Sequence, residues 1–129
     1  MPEGPRGLAL DSNHRWLFVA CTNGAGVLDL NHSGKLLGRI TTDGGVDNLD
    51  YDPLRRLLFV ASGQGATLVI ARVDDGGALR KVSSVPTAKG ARNPVLDARG
   101  TAYVEDSGNG RLLVVEPQAD GLVTPKGSR

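Results

Sequence analysis

Hydrophobic positions in this chain fall into short blocks, most of them four to seven residues long and bounded by glycine, asparagine, aspartate or proline. The clearest is Leu57-Leu58-Phe59-Val60-Ala61, an unbroken apolar run of strand length with no Gly or Pro inside it. No segment of ten or more residues carries apolar positions at helical spacing without a Gly or Pro interrupting it, so the blocks predict β-strands. Because apolar residues in this run are consecutive and do not alternate with polar ones, both faces of its sheet are predicted to be covered.

The blocks repeat. Arg15-Trp16-Leu17-Phe18-Val19-Ala20-Cys21 matches Arg56-Leu57-Leu58-Phe59-Val60-Ala61-Ser62 at an offset of 41, and Gly100-Thr101-Ala102-Tyr103-Val104-Glu105-Asp106 a further 44 on. Upstream, Leu8-Ala9-Leu10-Asp11 matches Leu49-Asp50-Tyr51-Asp52 and Pro94-Val95-Leu96-Asp97. Downstream come Val27-Leu28-Asp29-Leu30, Leu68-Val69-Ile70-Ala71 and Leu112-Leu113-Val114-Val115. A fourth block follows a glycine turn, Lys35 to Thr41 and Leu79 to Val85. In the third unit only Leu122-Val123-Thr124 is expected there, closed by Pro125 and followed by a frayed polar tail from Lys126 to Arg129.

A four-stranded sheet buried on both faces and repeated at this period is what the blades of a β-propeller supply. The chain is therefore predicted to be all-β, with about three four-stranded antiparallel blades in a single partial unit over residues 1–129. The blades fall at about residues 4–43, 44–89 and 90–124. A sandwich would accommodate the strands but gives no reason for the repeat.

A short inner strand ending in Asp, then Leu-Phe-Val-Ala, a glycine-rich turn and Val-Leu-Asp-Leu resembles the repeats of the YVTN family of bacterial β-propellers, in the neighbourhood of NHL and gluconolactonase-like propellers. The resemblance covers about residues 4 to 124 and implies a bacterial periplasmic or secreted protein. Members of such families include binding proteins, surface proteins and lactonases, so the likeness implies architecture more than activity. Rings in those families close with six or seven blades, and three blades leave two apolar faces open. Two copies joined head to tail would give six blades and a closed ring, so a homodimer is expected. The other reading is a piece of a longer propeller.

Composition narrows the chemistry. A formal net charge of +1 provides no field to attract nucleic acid or an anionic membrane, and aromatic residues make up only 4% of the sequence, too few for base-stacking platforms. The apolar runs are far shorter than a membrane span, and Met1 to Arg6 contains no hydrophobic signal region. Neither nucleic acid nor membrane is expected as a partner. Cys21 is alone, which rules out an intrachain disulfide. His14 and His32 fall in turns without partners at metal-ligand spacing and read as surface residues.

In a propeller, ligand chemistry would collect on the loops that enter the inner strands and on those between second and third strands. Arg6, Asp47 and Arg92 share one repeat position on the entering loops, and Gly7, Asn48 and Asn93 share the next. Asn48, Asn93 and Asp50 offer hard oxygen donors; no cofactor is expected, but Ca2+ or another divalent cation is the candidate metal if those oxygens converge. Arg6 and Arg92 instead suit a small anionic ligand, or a protein partner at the channel mouth. In the plainer reading the Asn and Asp residues bond their own turns and the Arg residues pair with Asp across blades. Asp50 stands where its counterparts are Ala9 and Val95, so its carboxylate requires a partner. Asp11, Asp52 and Asp97 read as turn caps. Glu105-Asp106 is an acidic pair found only in the third unit; strand alternation lets only one of the two face a ligand, and a solvated role is the expectation. The functional expectation is a non-catalytic binding or scaffold module, with a metal-dependent lactonase-like hydrolase as the alternative.

Overall fold

The computed structural model describes residues 4–117 and, for residues 123–128, the backbone. Among the described residues twelve strands follow in chain order: β1 (Gly7–Asp11), β2 (Trp16–Cys21), β3 (Gly24–Asp29), β4 (Lys35–Thr41), β5 (Val46–Asp52), β6 (Leu57–Ser62), β7 (Thr67–Val73), β8 (Leu79–Pro86), β9 (Pro94–Leu96), β10 (Ala102–Asp106), β11 (Arg111–Pro117) and β12 (Val123–Ser128). They form three four-stranded sheets, each a meander of consecutive antiparallel strands. Among the described residues the only helical turns are two short 3-10 segments, Leu30–His32 and Ser107–Asn109.

The two-sided strand is realised in β6. Leu58 and Val60 enter a core with Trp16, Phe18, Ala20 and Val27 of the first blade. Leu57, Phe59 and Ala61 enter a second core with Ala102, Val104 and Val115 of the third. All six residues of β6 are buried, as expected when alternate side chains point to opposite faces and each face meets a neighbouring blade. The innermost strands β1, β5 and β9 lie side by side, and so do the outer strands β4 and β8.

The third blade corrects the expectation for its last strand. β12 runs from Val123 to Ser128 and pairs with β11, Pro125 opposite Val115 and Lys126 opposite Val114, so Pro125 does not close the strand and the supposed frayed tail joins the sheet. β12 lies last in its sheet, and an edge strand tolerates a residue that lacks an N–H. Leu122 and Arg129 lie outside the described residues.

Short polar residues finish the turns as the repeat implies. Asp11 accepts the N–H groups of Asn13 and His14, Asp52 those of Leu54 and Arg55, and Asp97 those of Arg99 and Thr101. Each such turn passes through a left-handed residue, Arg15 and Arg56 (φ 58° for both) and Gly100 at φ 85°.

Candidate functional site

The loops that enter the inner strands meet the turns between second and third strands. Gly45 and Val46 donate to the carbonyl of Thr22, and Gly90 donates to that of Gly63, so each loop entering an inner strand is bonded to the turn between second and third strands of the preceding blade. Within this belt lie Arg6, Asp47, Asn48, Arg92 and Asn93; Glu3 lies outside the described residues.

Asp47 is placed by a bulge. Val46 pairs with Ser62 and Asn48 with Ala61, which leaves Asp47 as the extra residue of β5 and turns its side chain out of the ladder. Its carboxylate stands 3.9 Å from the half-exposed guanidinium of Arg6. The residues in the next repeat position touch in series from one blade to the next. Asn48 Oδ1 occupies the space a side chain on Gly7 would need, since a Cβ there would lie 2.2 Å from it. Asn48 Nδ2 donates to Asn93 Oδ1 at 2.9 Å.

Glu105 anchors that series. Its Oε1 accepts the N–H groups of Arg92 (2.7 Å) and Asn93 (2.9 Å), and its Oε2 accepts Asn93 Nδ2 at 3.2 Å. Burial pushes its pKa up, but the hydrogen bonds from Asn93 and Arg92 outweigh that and hold the carboxyl below its ordinary value. The expectation of a solvated Glu105 missed this role. Its signal was the departure from Ala20 and Ala61 at the same repeat position, one strand away from the loop it holds. Asp106 faces the other way, 1% exposed, and receives Asn109 and Arg111, whose bonds lower its pKa.

Asp50 lies deeper along β5. Its Oδ1 accepts the N–H of Tyr51 (2.9 Å) and its Oδ2 that of Leu96 (3.0 Å), so the partner required by its position is the edge backbone of β9 in the next blade. The proposed oxygen donors are thus not gathered around one point of bonding. Asn48 Oδ1 accepts the N–H of Leu49, Asn93 Oδ1 accepts Asn48, and Asp50 is shared by two backbone groups. No cluster of three or more His, Cys, Asp or Glu side chains suited to a metal occurs among the described residues. Arg92 is exposed, and among the described residues its guanidinium has no hydrogen-bond or ion-pair partner.

A second polar chain runs across the outer turns. His14 Nδ1 meets Asp11 Oδ2 at 2.8 Å, its ring stacks on Trp16 at 4.2 Å, and its Nε2 lies 3.1 Å from Arg56, which also binds Asp75. A guanidinium can only donate, so Nε2 accepts and Nδ1 carries the proton given to Asp11. This histidine joins two blades, a role its position in a turn did not reveal. His32 pairs locally with Asp29 at 2.6 Å.

No protein-family model matches the sequence, and no curated protein does. Solved structures match in fold. A Bacteroides uniformis protein provisionally assigned as a 6-phosphogluconolactonase superposes with a TM-score of 0.86 at 18% identity, over 98% of this chain and 40% of its own. A Bacteroides fragilis protein with the same provisional assignment gives 0.85 at 21% identity, over 98% and 39%. The periplasmic gluconolactonase of Pseudomonas aeruginosa gives 0.78 at 16% identity, over 97% and 40%. The chain spans about two fifths of the length of these proteins. Its fold is that of a segment of a β-propeller. No helix among the described residues is long and apolar enough to cross a membrane.

Proposed function

We propose that this chain is a non-catalytic propeller module that holds a small anionic ligand, or an acidic group of a protein partner, at the channel mouth. The observation that carries this reading is the contrast within the mouth. Asn48, Asn93 and Glu105 are engaged with one another and with backbone, which leaves them as a rigid belt. Arg92, on the same loop, keeps an uncommitted guanidinium, and Arg6 is only loosely paired. A planar five-donor cation fixed beside preordered amides suits carboxylate or phosphate. The ring is completed by a second copy, giving six blades. The test is calorimetric titration with inorganic phosphate and with citrate. Saturable binding that is lost in Arg92→Ala and weakened in Arg6→Ala is the expected result; heats that do not saturate, or that Arg92→Ala leaves unchanged, overturn the reading.

The fold likeness to gluconolactonases favours a second reading, a metal-dependent lactonase-like hydrolase with Asn48, Asn93 and Asp50 as ligands. It requires the Asn48–Asn93 and Asp50–Leu96 bonds to yield to Ca2+. A Ca2+-dependent rate of δ-gluconolactone hydrolysis that Asn93→Ala abolishes would establish it, and a rate equal to the uncatalysed one would exclude it.

A further inference from the structure

The first and third blades each turn one face away from the second blade, and the two faces are complementary. On the first blade this face carries Leu8, Leu10 and Leu17. Leu8 and Leu10 are 62% and 57% exposed, whereas the residues at the same repeat positions in the second blade, Leu49 and Tyr51, are 4% and 8% exposed because the first blade covers them. On the third blade, Ala102 and Val104 point toward the second, so alternation places the half-buried Tyr103 on the far side, with Val114, 7% exposed, opposite it in the ladder and Val95 59% exposed. Tyr103 holds the repeat position of Phe18, and Phe18 packs against Tyr51 of the following blade with ring centroids 4.2 Å apart. The counterpart of Tyr51 at the start of the chain is Leu10.

Two polar positions say which blade fits. Between the second and third blades, Asn48 donates to Asn93. A blade following the third would meet Asn93 in the same way, and the first blade has Gly7 there, with no side chain to offer. Asn93 turns its amide N–H back onto Glu105 of its own blade, at 3.2 Å. Between the first and second blades, the phenol of Tyr51 feels the charge of Asp11. A following first blade would bring Leu10, which has no donor, and Asp97 takes the hydroxyl of Tyr103 from its own blade, at 3.0 Å. The third blade is thus self-sufficient in hydrogen bonds at the two places where the first blade is apolar or bare, and leaving such groups unpaired in a covered interface would be costly.

We infer that the far face of the third blade docks on the first blade of a second copy of this chain, Tyr103 lying against the partner's Leu10 and Asn93 over the partner's Gly7. The inference rests on the proposed closure by a second copy and adds to it the identity of the seam. Two such seams related by a two-fold axis close a ring and bring both sets of Arg6 and Arg92 to one mouth.

The test combines solution mass with a cross-link. Light scattering on the unaltered chain should return twice its 13.5 kDa, Leu10→Arg should return a single chain with unchanged far-ultraviolet circular dichroism, and Leu54→Arg, 80% exposed and off the seam, should remain dimeric. In a Cys21→Ser background, Leu10→Cys with Tyr103→Cys should form a disulfide-linked dimer on oxidation, which reads the seam even if Leu10→Arg fails to fold. A dimer that neither Leu10→Arg disrupts nor the cysteine pair cross-links overturns the seam while leaving closure by a second copy standing. An unaltered chain that is monomeric at micromolar concentration overturns both.

Discussion

The carboxylate of Asp50 accepts the backbone N–H of Leu96 at 3.0 Å and so fastens the innermost strand of the second blade to that of the third. β9 is only three residues long and begins with a proline, so it has few ladder bonds of its own with which to hold its place. Asp50→Ala should cost about 1–3 kcal/mol, the range for losing a charged acceptor of a partly buried donor. Urea unfolding monitored by circular dichroism measures it, and a midpoint unchanged from the unaltered chain would show the strap to be dispensable.

Glu105 makes a pH-dependent contribution whose sign follows from its lowered pKa. Its carboxylate is favoured in the folded state, so the stability it adds is present above the ordinary Glu value of about 4.3 and disappears as pH falls through the lower folded value. The stability gap between the unaltered chain and Glu105→Gln should therefore be widest near neutrality and close in acid. A gap that is constant across that range would mean the charge is not what holds the Arg92–Asn93 loop.

Tyr51 behaves in the opposite sense. Burial, then the charge of Asp11, pushes its phenol up to about 12. Stability from the neutral hydroxyl is present below the unfolded value of about 10 and is lost as pH rises from there through the folded value. Alkaline unfolding of Tyr51→Phe should lack this component, and an alkaline limb identical to that of the unaltered chain would show that the phenol does not contribute it.

Backbone conformation supplies a stabilising substitution. Ala66 has φ 53°, a region that costs an L-residue roughly 1–2 kcal/mol, partly offset in glycine by its greater unfolded freedom. Ala66→Gly should raise the melting temperature. Gly24→Ala should lower it by much more, because a Cβ at Gly24 would sit 2.0 Å from the carbonyl oxygen of Ile40 and force β3 and β4 apart. If both substitutions moved the melting temperature the same way, neither account would stand.

Architecture was more legible in the sequence than contacts were. The two-sided burial of β6, the strand order and the capping aspartates follow from apolar runs and turn residues, which are local signals. Asp50 could be recognised as needing a partner because Ala9 and Val95 occupy its place, yet a backbone N–H in another blade leaves no mark in composition. Glu105 and His14 were harder still. Both act on residues far away in sequence, Glu105 on a loop that precedes it by 12 or 13 positions and His14 on Arg56, 42 positions later. Pro125 has the sequence character of a strand stop, and only the position of β12 at the sheet edge makes that proline harmless.

The complete burial of Leu57 to Ser62 also sets the order in which the chain opens. Amide protons of β6 are bonded to β5 and β7 within a sheet that is covered on both sides, so they exchange with solvent only when two cores are lost together. Those of β4, at the rim of its blade and mostly exposed or half-buried, exchange through fraying of a single strand. Within a single chain the middle blade is consequently the slowest part to unfold, and the outer blades open around a persistent centre.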